Sequence, residues 1–298
     1  MNEIDEVINN FEDFTENTFF NNKKYNKEEY AKFKKDEKTQ IYELIDKTTN
    51  SLVKSKENLI RYLDIQSKFD NYSVGNALLV TAQMPSATIL RDGKSWNSIG
   101  GYLKRFAKPV KILEPGDNYM REDGSVGVNY NVKKVYDISQ VILKQKPINM
   151  KYDDKILLKI LLNASSSNVK IVDKIPESNR NAMYDLDKDV LYISRGAEIP
   201  RIFYEVTSEL ARQEIRESSN FTEFANLCVS YMLCKRYNID VSRFNFEIPQ
   251  ELQGMTPKEI REELEPIKDG MENINTRISA YIQKLVKETK KRESYRIN

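Results

Sequence analysis

Apolar residues recur along this chain in two different rhythms, and the change from one to the other divides it. Ile41, Leu44, Ile45, Leu52, Leu59, Ile60 and Leu63 return at helical spacing. Steps of three and four place side chains on one face of a helix, so helical structure is expected from residue 41 to 63. A second helix is expected from Ser73 to Ala82. The Met84-Pro85 pair ends it, because the residue before a proline is pushed out of the helical region. From Ser86 to Val141 the texture changes. Asp92-Gly93, Gly100-Gly101, Pro115-Gly116 and Asp123-Gly124 punctuate short segments, and Val110 to Leu113 alternates apolar with polar. Val126 to Tyr130 and Val132 to Ile138 read as strands, with Asp123-Gly124 as the hairpin turn before them.

Lys146-Pro147 opens a second half. Tyr152 to Leu162 reads as a helix, Val169 to Val172 and Val190 to Ile193 as strands, and Tyr184 to Asp189 as a turn. A helix follows from Pro200 to about Arg216, with proline in its first turn and Ile202, Val206 and Leu210 as its apolar stripe. Another runs from about Phe221 to Tyr237. Thr256-Pro257-Lys258-Glu259 has the form of a capping box with proline at the first helical position, and Pro266 is expected to restart or kink that helix. Beyond it Ile267, Met271, Ile274, Ile278, Tyr281 and Leu285 step alternately by four and three, the repeat of a coiled-coil seam. Packing of this face on its own domain and a homodimer through the C-terminal helix are the two readings it allows. The fold class is therefore α+β. A polar arm is expected over 1–40, a helical module with a small sheet over 41–145, and a helix/sheet domain over 146–298.

Bulk properties narrow the class little. The net charge of +2 over 298 residues means that any polyanion site must be a local patch. No apolar run reaches the roughly 18 residues needed to span a bilayer, and the acidic start Met1 to Glu6 lacks the apolar core of a secretory leader. Two cysteines six positions apart on one expected helix point to different faces. Together these imply a cytoplasmic protein without a membrane partner. The chain has no histidine, which excludes Ser-His-Asp and Cys-His catalysis. No phosphate-binding loop is present either. Asp185, Asp187 and Asp189 alternate, but the glycine and distal glutamate of a calcium loop are missing, so they read as a turn. No cofactor and no metal are expected.

Between Ile89 and Lys111 the basic residues are Arg91, Lys94, Lys104, Arg105, Lys108 and Lys111, with Asp92 the one acid. Trp96 (the sole tryptophan), Tyr102 and Phe106 are interleaved with them. Cations that track phosphates and rings that stack bases are what single-strand binders use. Lys104, Arg105 and Lys108 are read as neighbours on a helical turn, and Lys133 and Lys134 as an extension. The plainer reading is a buried Trp96 and an ordinary solvated surface.

Phe69-Asp70-Asn71-Tyr72-Ser73-Val74-Gly75-Asn76-Ala77-Leu78-Leu79, followed by Gln83, resembles the opening of the N-terminal domain of ArdC-type antirestriction proteins. The likeness continues through Trp96, Gly100, Lys104-Arg105 and Val110 to Pro115, and ends at Val135 to Gln140. The resemblance implies single-stranded DNA as partner and a mobile genetic element as setting. Tyr72 and Asn76 are read as holding the fold by hydrogen bonds. One departure stands out: where the family tends to carry a Lys-Gly turn, this chain has Arg105-Phe106-Ala107-Lys108-Pro109.

The second half resembles the zincin-like peptidase domain that usually follows. There a strand leads into a helix bearing H-E-x-x-H, whose histidines at i and i+4 share a face and reach one zinc ion. The resemblance places Ser208 and Arg212 where the histidines would be, Glu209 where the general base would be, and Asn226 where the acidic third ligand would be. Serine is a poor neutral ligand, and an arginine stays protonated and repels a cation. The implied domain is thus a degenerate zinc site and not an enzyme. Arg212 is expected to stand in for the metal charge beside Glu209 and Asn226, with Glu205 two turns back on a similar face. The leading expectation is non-catalytic binding of single-stranded DNA. The alternative is a regulatory pseudoenzyme that binds a protein partner through the degenerate pocket or the C-terminal helix.

Overall fold

Asn26 opens the first helix among the described residues by accepting the Glu29 N–H at 2.8 Å, while the Glu29 carboxylate takes the Asn26 N–H at 3.1 Å. This reciprocal cap satisfies two of the donors a helix start leaves open. The computed structural model describes residues 26–121, 123–144, 152–175, 178–196, 198–216 and 218–296. Residues 1–25 of the expected arm and Lys146-Pro147 lie outside them. The molecule has the expected α+β class and folds as two compact units. Among the described residues the first holds 26–65, 74–144 and 255–258, and the second holds 66–73, 152–254 and 259–296.

In the first unit helix α1 (Lys27–Leu52), most of α2 (Lys56–Lys68) and α3 (Val74–Gln83) precede the sheets. Helix α1 begins inside the stretch expected as an arm, and Glu37 on it is buried. Next come β1 (Leu90–Arg91), α4 (Gly93–Ser98), β2 (Tyr102–Leu103), β3 (Val110–Met120), β4 (Val126–Asp137), a 3-10 turn (Ile138–Gln140) and β5 (Val141–Ile142). One antiparallel sheet has the order β1-β4-β3, and β2 pairs antiparallel with β5. Strands β3 and β4 form one long hairpin, closed where Asp123 accepts the Ser125 N–H and Gly124 takes a φ of 80°. Pro115-Gly116, expected to break the strand, instead sits at a register shift within β3.

Two side-chain amides on α3 seal the outer edge of β3. Asn76 accepts the Leu113 N–H and donates to the Leu113 carbonyl, both at 2.8 Å. Gln83 does the same for Lys111, both at 2.9 Å. The expected structural role of Asn76 is met by this geometry. Asp137 closes the other end by accepting N–H groups from Thr88 at 2.6 Å, Ile89 at 2.9 Å and Ser139 at 2.9 Å.

The second unit contains α5 (Asp154–Leu162), β6 (Asn168–Val172), β7 (Ala182–Asp185), β8 (Val190–Ser194), α6 (Ile199–Ile215), α7 (Thr222–Arg236), a 3-10 turn (Gln250–Gly254) and most of α8 (Pro257–Arg296). Its sheet has the order β6-β8-β7, with β6 parallel and β7 antiparallel to β8. The expected turn at 184–189 is the end of a hairpin whose first strand, β7, the sequence pattern did not show. The α6 stripe of Ile202, Val206 and Leu210 is buried as expected, and α7 is buried on nearly every side. Each such aliphatic side chain contributes about 1.5–3 kcal/mol relative to exposure. Cys228 and Cys234 on α7 are free, and burial pushes the Cys234 thiol up to about 12.

Helix α8 does not restart at Pro266; the residue lies inside one continuous helix. The seam positions Ile267, Met271, Ile274 and Ile278 are buried, and Arg277 on the same helix bonds the Ala164 carbonyl and the Glu214 carboxylate. Those four positions are therefore covered within the chain and do not form an open dimer seam. No helix among the described residues is long and apolar enough to cross a membrane.

Candidate nucleic-acid interface and degenerate pocket

The residues between Ile89 and Lys111 separate into two groups. Trp96 is 1% exposed and its Nε1–H donates to the Tyr136 carbonyl at 2.8 Å. It is core, and it is not a stacking platform. Lys111 is 1% exposed, with its ammonium 2.9 Å from the Glu37 carboxylate. Its expected place on the basic surface is wrong, because the start of β3 is buried on both faces at Val110, Lys111 and Ile112, with α3 packed against it and Glu37 of α1 reaching the lysine. Lys133, expected to extend the patch, lies 2.8 Å from Glu114 and 3.6 Å from Asp92, so its charge is largely met there.

The other residues remain at the surface. Arg91, Lys94, Lys104, Arg105 and Lys108 are exposed, as are Tyr102 at 64% and Phe106 at 77%. Ile99 and Ile142, which no sequence signal singled out, are exposed beside Tyr102 in the chain and across the β2–β5 pair. The expected helical turn at 104–108 is absent. The Ala107 N–H bonds the Lys104 carbonyl at 3.1 Å in a tight turn with Phe106 at a φ of 65°. A positive φ at the third turn position normally calls for glycine or asparagine. An aromatic residue there costs about 1–2 kcal/mol. Gln140 fixes the turn from both ends: its carbonyl accepts the Lys104 N–H at 2.9 Å and its amide donates to the Lys108 carbonyl at 2.6 Å. The Arg105 guanidinium lies 4.8 Å from the Phe106 ring centroid, so a cation and a ring face solvent together.

In the second unit α6, α7 and β7 enclose a pocket of about 510 Å³ that Ser208, Glu209, Arg212 and Asn226 all line. The sequence reading thus placed four residues in one site. The charges are arranged differently from the expectation. Glu209 is 3% exposed; its Oε2 accepts the Tyr184 N–H at 2.9 Å, and its Oε1 takes Arg180 Nη1 at 3.2 Å. Arg212 instead reaches Glu223 on α7 at 3.6 Å. Arg180, from the loop before β7, is therefore the guanidinium bonded directly to Glu209, while Arg212 acts on that carboxylate through space. Burial pushes the Glu209 carboxyl above its usual range, with the Tyr184 N–H and the two guanidiniums opposing. Glu205 is held by the Ala182 N–H at 3.0 Å, the Asn181 N–H and Arg201 Nε at 2.8 Å. Burial alone would raise its pKa, but these donors outweigh it and hold it low.

Asn226 is 8% exposed, and neither its amide nitrogen nor its amide oxygen has a hydrogen-bond partner among the described residues. Ser208 Oγ lies 3.3 Å from Ser230 Oγ. Arg180, Arg201 and Arg243 also line the pocket, and the sequence reading missed them. Arg201 carried a legible signal, four residues before Glu205 on one helix face. Arg180 and Arg243 come from loops and carried none. Among the described residues no three Asp, Glu or Cys side chains come together as a metal site.

No family model matches the chain, and no curated protein matches it. Among solved structures it is similar to the Mn(II)-bound crystal structure of the antirestriction ArdC protein from plasmid R388. The identity is 13%, the TM-score is 0.48, and the match covers 79% of this chain and 98% of that one. It is similar also to the metal-free structure of the same protein, at 14% identity and a TM-score of 0.43 over 79% and 95% of the two chains.

Proposed function

We propose that the chain binds single-stranded DNA without catalysis, through the surface around β2 and the 104–109 turn. Tyr102 and Phe106 stack on bases, while Arg91, Lys94, Lys104, Arg105 and Lys108 track phosphates. The observation that carries this reading is the Phe106 turn: a strained backbone holds a ring 77% exposed, in a run of exposed cations. A strained, exposed aromatic has no packing reason to persist, and strain of this kind gathers at binding sites. The sequence resemblance points to the same partner and to a mobile-element setting. The non-catalytic part of the reading rests on the donor set at 208, 209, 212 and 226, which offers a zinc ion one carboxylate already engaged with Arg180 and Tyr184.

The test is fluorescence anisotropy of a labelled single-stranded oligonucleotide at several salt concentrations, with the same sequence as duplex for comparison. Phe106→Gly keeps the turn and removes the ring. It should weaken binding by about 1–3 kcal/mol with the salt slope unchanged and with no loss of thermal stability. Arg105→Ala/Lys94→Ala should weaken binding and lower the slope by about 0.7 for each phosphate contact removed. Absence of binding at low salt, or equal binding by Phe106→Gly, would remove the reading.

A further inference from the structure

The pocket in the second unit has three properties that point to one ligand chemistry. First, its free cations are guanidiniums. Among the described residues the ion pair Arg212 makes is with Glu223, whose side chain is 86% exposed, at 3.6 Å; a pair so exposed holds a side chain weakly. Arg243 lines the same pocket, is exposed, and makes no ion pair among the described residues. Second, Asn226 sits in the lining with both amide atoms buried and, among the described residues, without a hydrogen-bond partner. Buried polar side chains are nearly always bonded, so an orphaned amide in a pocket lining marks a place for a ligand's polar atoms. Third, the carboxylates there are already engaged. Glu205 and Glu209 accept the outward N–H groups of Ala182 and Tyr184, the free edge of β7.

This third property excludes the ligand an open sheet edge would invite. A peptide added as a strand needs the N–H groups of Ala182 and Tyr184, and Glu205 and Glu209 occupy both. A cation is excluded by the arginines. What remains is an anion small enough for about 510 Å³, a volume within the range of small-molecule sites.

We infer that this pocket binds a small oxyanion, a carboxylate- or phosphate-bearing molecule. Arg212 and Arg243 grip the charged head, and the Asn226 amide bonds a neighbouring polar atom. The planar guanidinium fork suits two-oxygen groups of either kind. The site is independent of the DNA-binding surface on the first unit.

The experiment is thermal unfolding and calorimetric titration of the full chain with succinate and, separately, with inorganic phosphate, at constant ionic strength against chloride. Saturable stabilisation by succinate alone assigns the head as a carboxylate, by phosphate alone as a phosphoryl group, and by both as either; each supports the site. Arg212→Ala/Arg243→Ala should weaken the responding probe by about tenfold or more while leaving oligonucleotide binding unchanged. Asn226→Leu should abolish the response and, in the absence of probe, unfold at a higher temperature, because it removes two unpartnered polar atoms from the interior. Stabilisation by neither probe overturns the inference. So does stabilisation undiminished in the double arginine variant, or a lowered melting temperature in Asn226→Leu without probe.

Discussion

Replacing Glu37 by glutamine should destabilise the first unit by about 3–5 kcal/mol, the usual cost of removing one partner from a buried ion pair. The Glu37 carboxylate and the Lys111 ammonium lie 2.9 Å apart with both side chains 2% exposed. At an effective dielectric near 20 their attraction is about 6 kcal/mol. Burying each ion costs several kcal/mol, so the intact pair contributes little net stability, and the damage comes from leaving one charge behind. The two ends are unequal. Lys34, 46% exposed, also reaches Glu37 at 3.0 Å, so Lys111→Met leaves the carboxylate a cation and should cost less than Glu37→Gln. The double variant Glu37→Gln/Lys111→Met should recover most of the loss. Burial alone would raise the Glu37 pKa, but hydrogen bonds from Lys111 and Lys34 outweigh it and hold it below 4.5. A depressed carboxylate contributes stability above its unfolded pKa and loses it as pH falls through the lower folded value. The loss therefore belongs below pH 4.5 and should be absent in Glu37→Gln. Urea unfolding followed by tryptophan fluorescence reads this unit alone, since Trp96 is the only tryptophan and lies within it. A Glu37→Gln midpoint equal to that of wild type, or Lys111→Met costing more than Glu37→Gln, would refute the reasoning.

Two further outcomes follow from the same unit. Trp96, at 1% exposure, should emit at short wavelength, resist acrylamide, and keep its intensity when oligonucleotide binds; quenching on binding would put the indole in the interface. Asp137→Asn should lower stability by about 1.5–3 kcal/mol for each charge-assisted bond it weakens, since three backbone N–H groups converge on that carboxylate. Burial raises its pKa, but those N–H groups hold it below 3.8, so wild type should lose this contribution as pH falls below that value while Asp137→Asn does not.

The sequence was most legible where one element decides the pattern. The α6 stripe, the 123–124 hairpin turn and the start of α8 at Pro257 all follow from spacing or turn chemistry. It failed where a partner distant in the chain decides. Nothing local marks Lys111 as buried, because Glu37 comes from a helix far earlier. Lys111 also stands in a strand whose alternation suggests a lysine facing water. The turn at 104–108 does carry a local signal: Pro109 disfavours a helical conformation for Lys108. In the second unit the resemblance to a zincin-like domain, not spacing alone, singles out four residues on α6 and α7 that line one pocket. The pairing of Arg180 with Glu209 was not legible, since a loop residue can reach many sites and only the fold selects one.

Asn76 and Gln83 do more than bind a helix to a strand. A sheet edge is a template on which another chain can grow, and β3 is the last strand of its sheet. By holding both the N–H and the carbonyl of Leu113 and of Lys111, the two amides leave that stretch nothing to offer a second molecule. The sheet stops at three strands for a chemical reason. Loss of either amide would therefore be felt first as stickiness between copies at high concentration, before it was felt as weakness in any one of them.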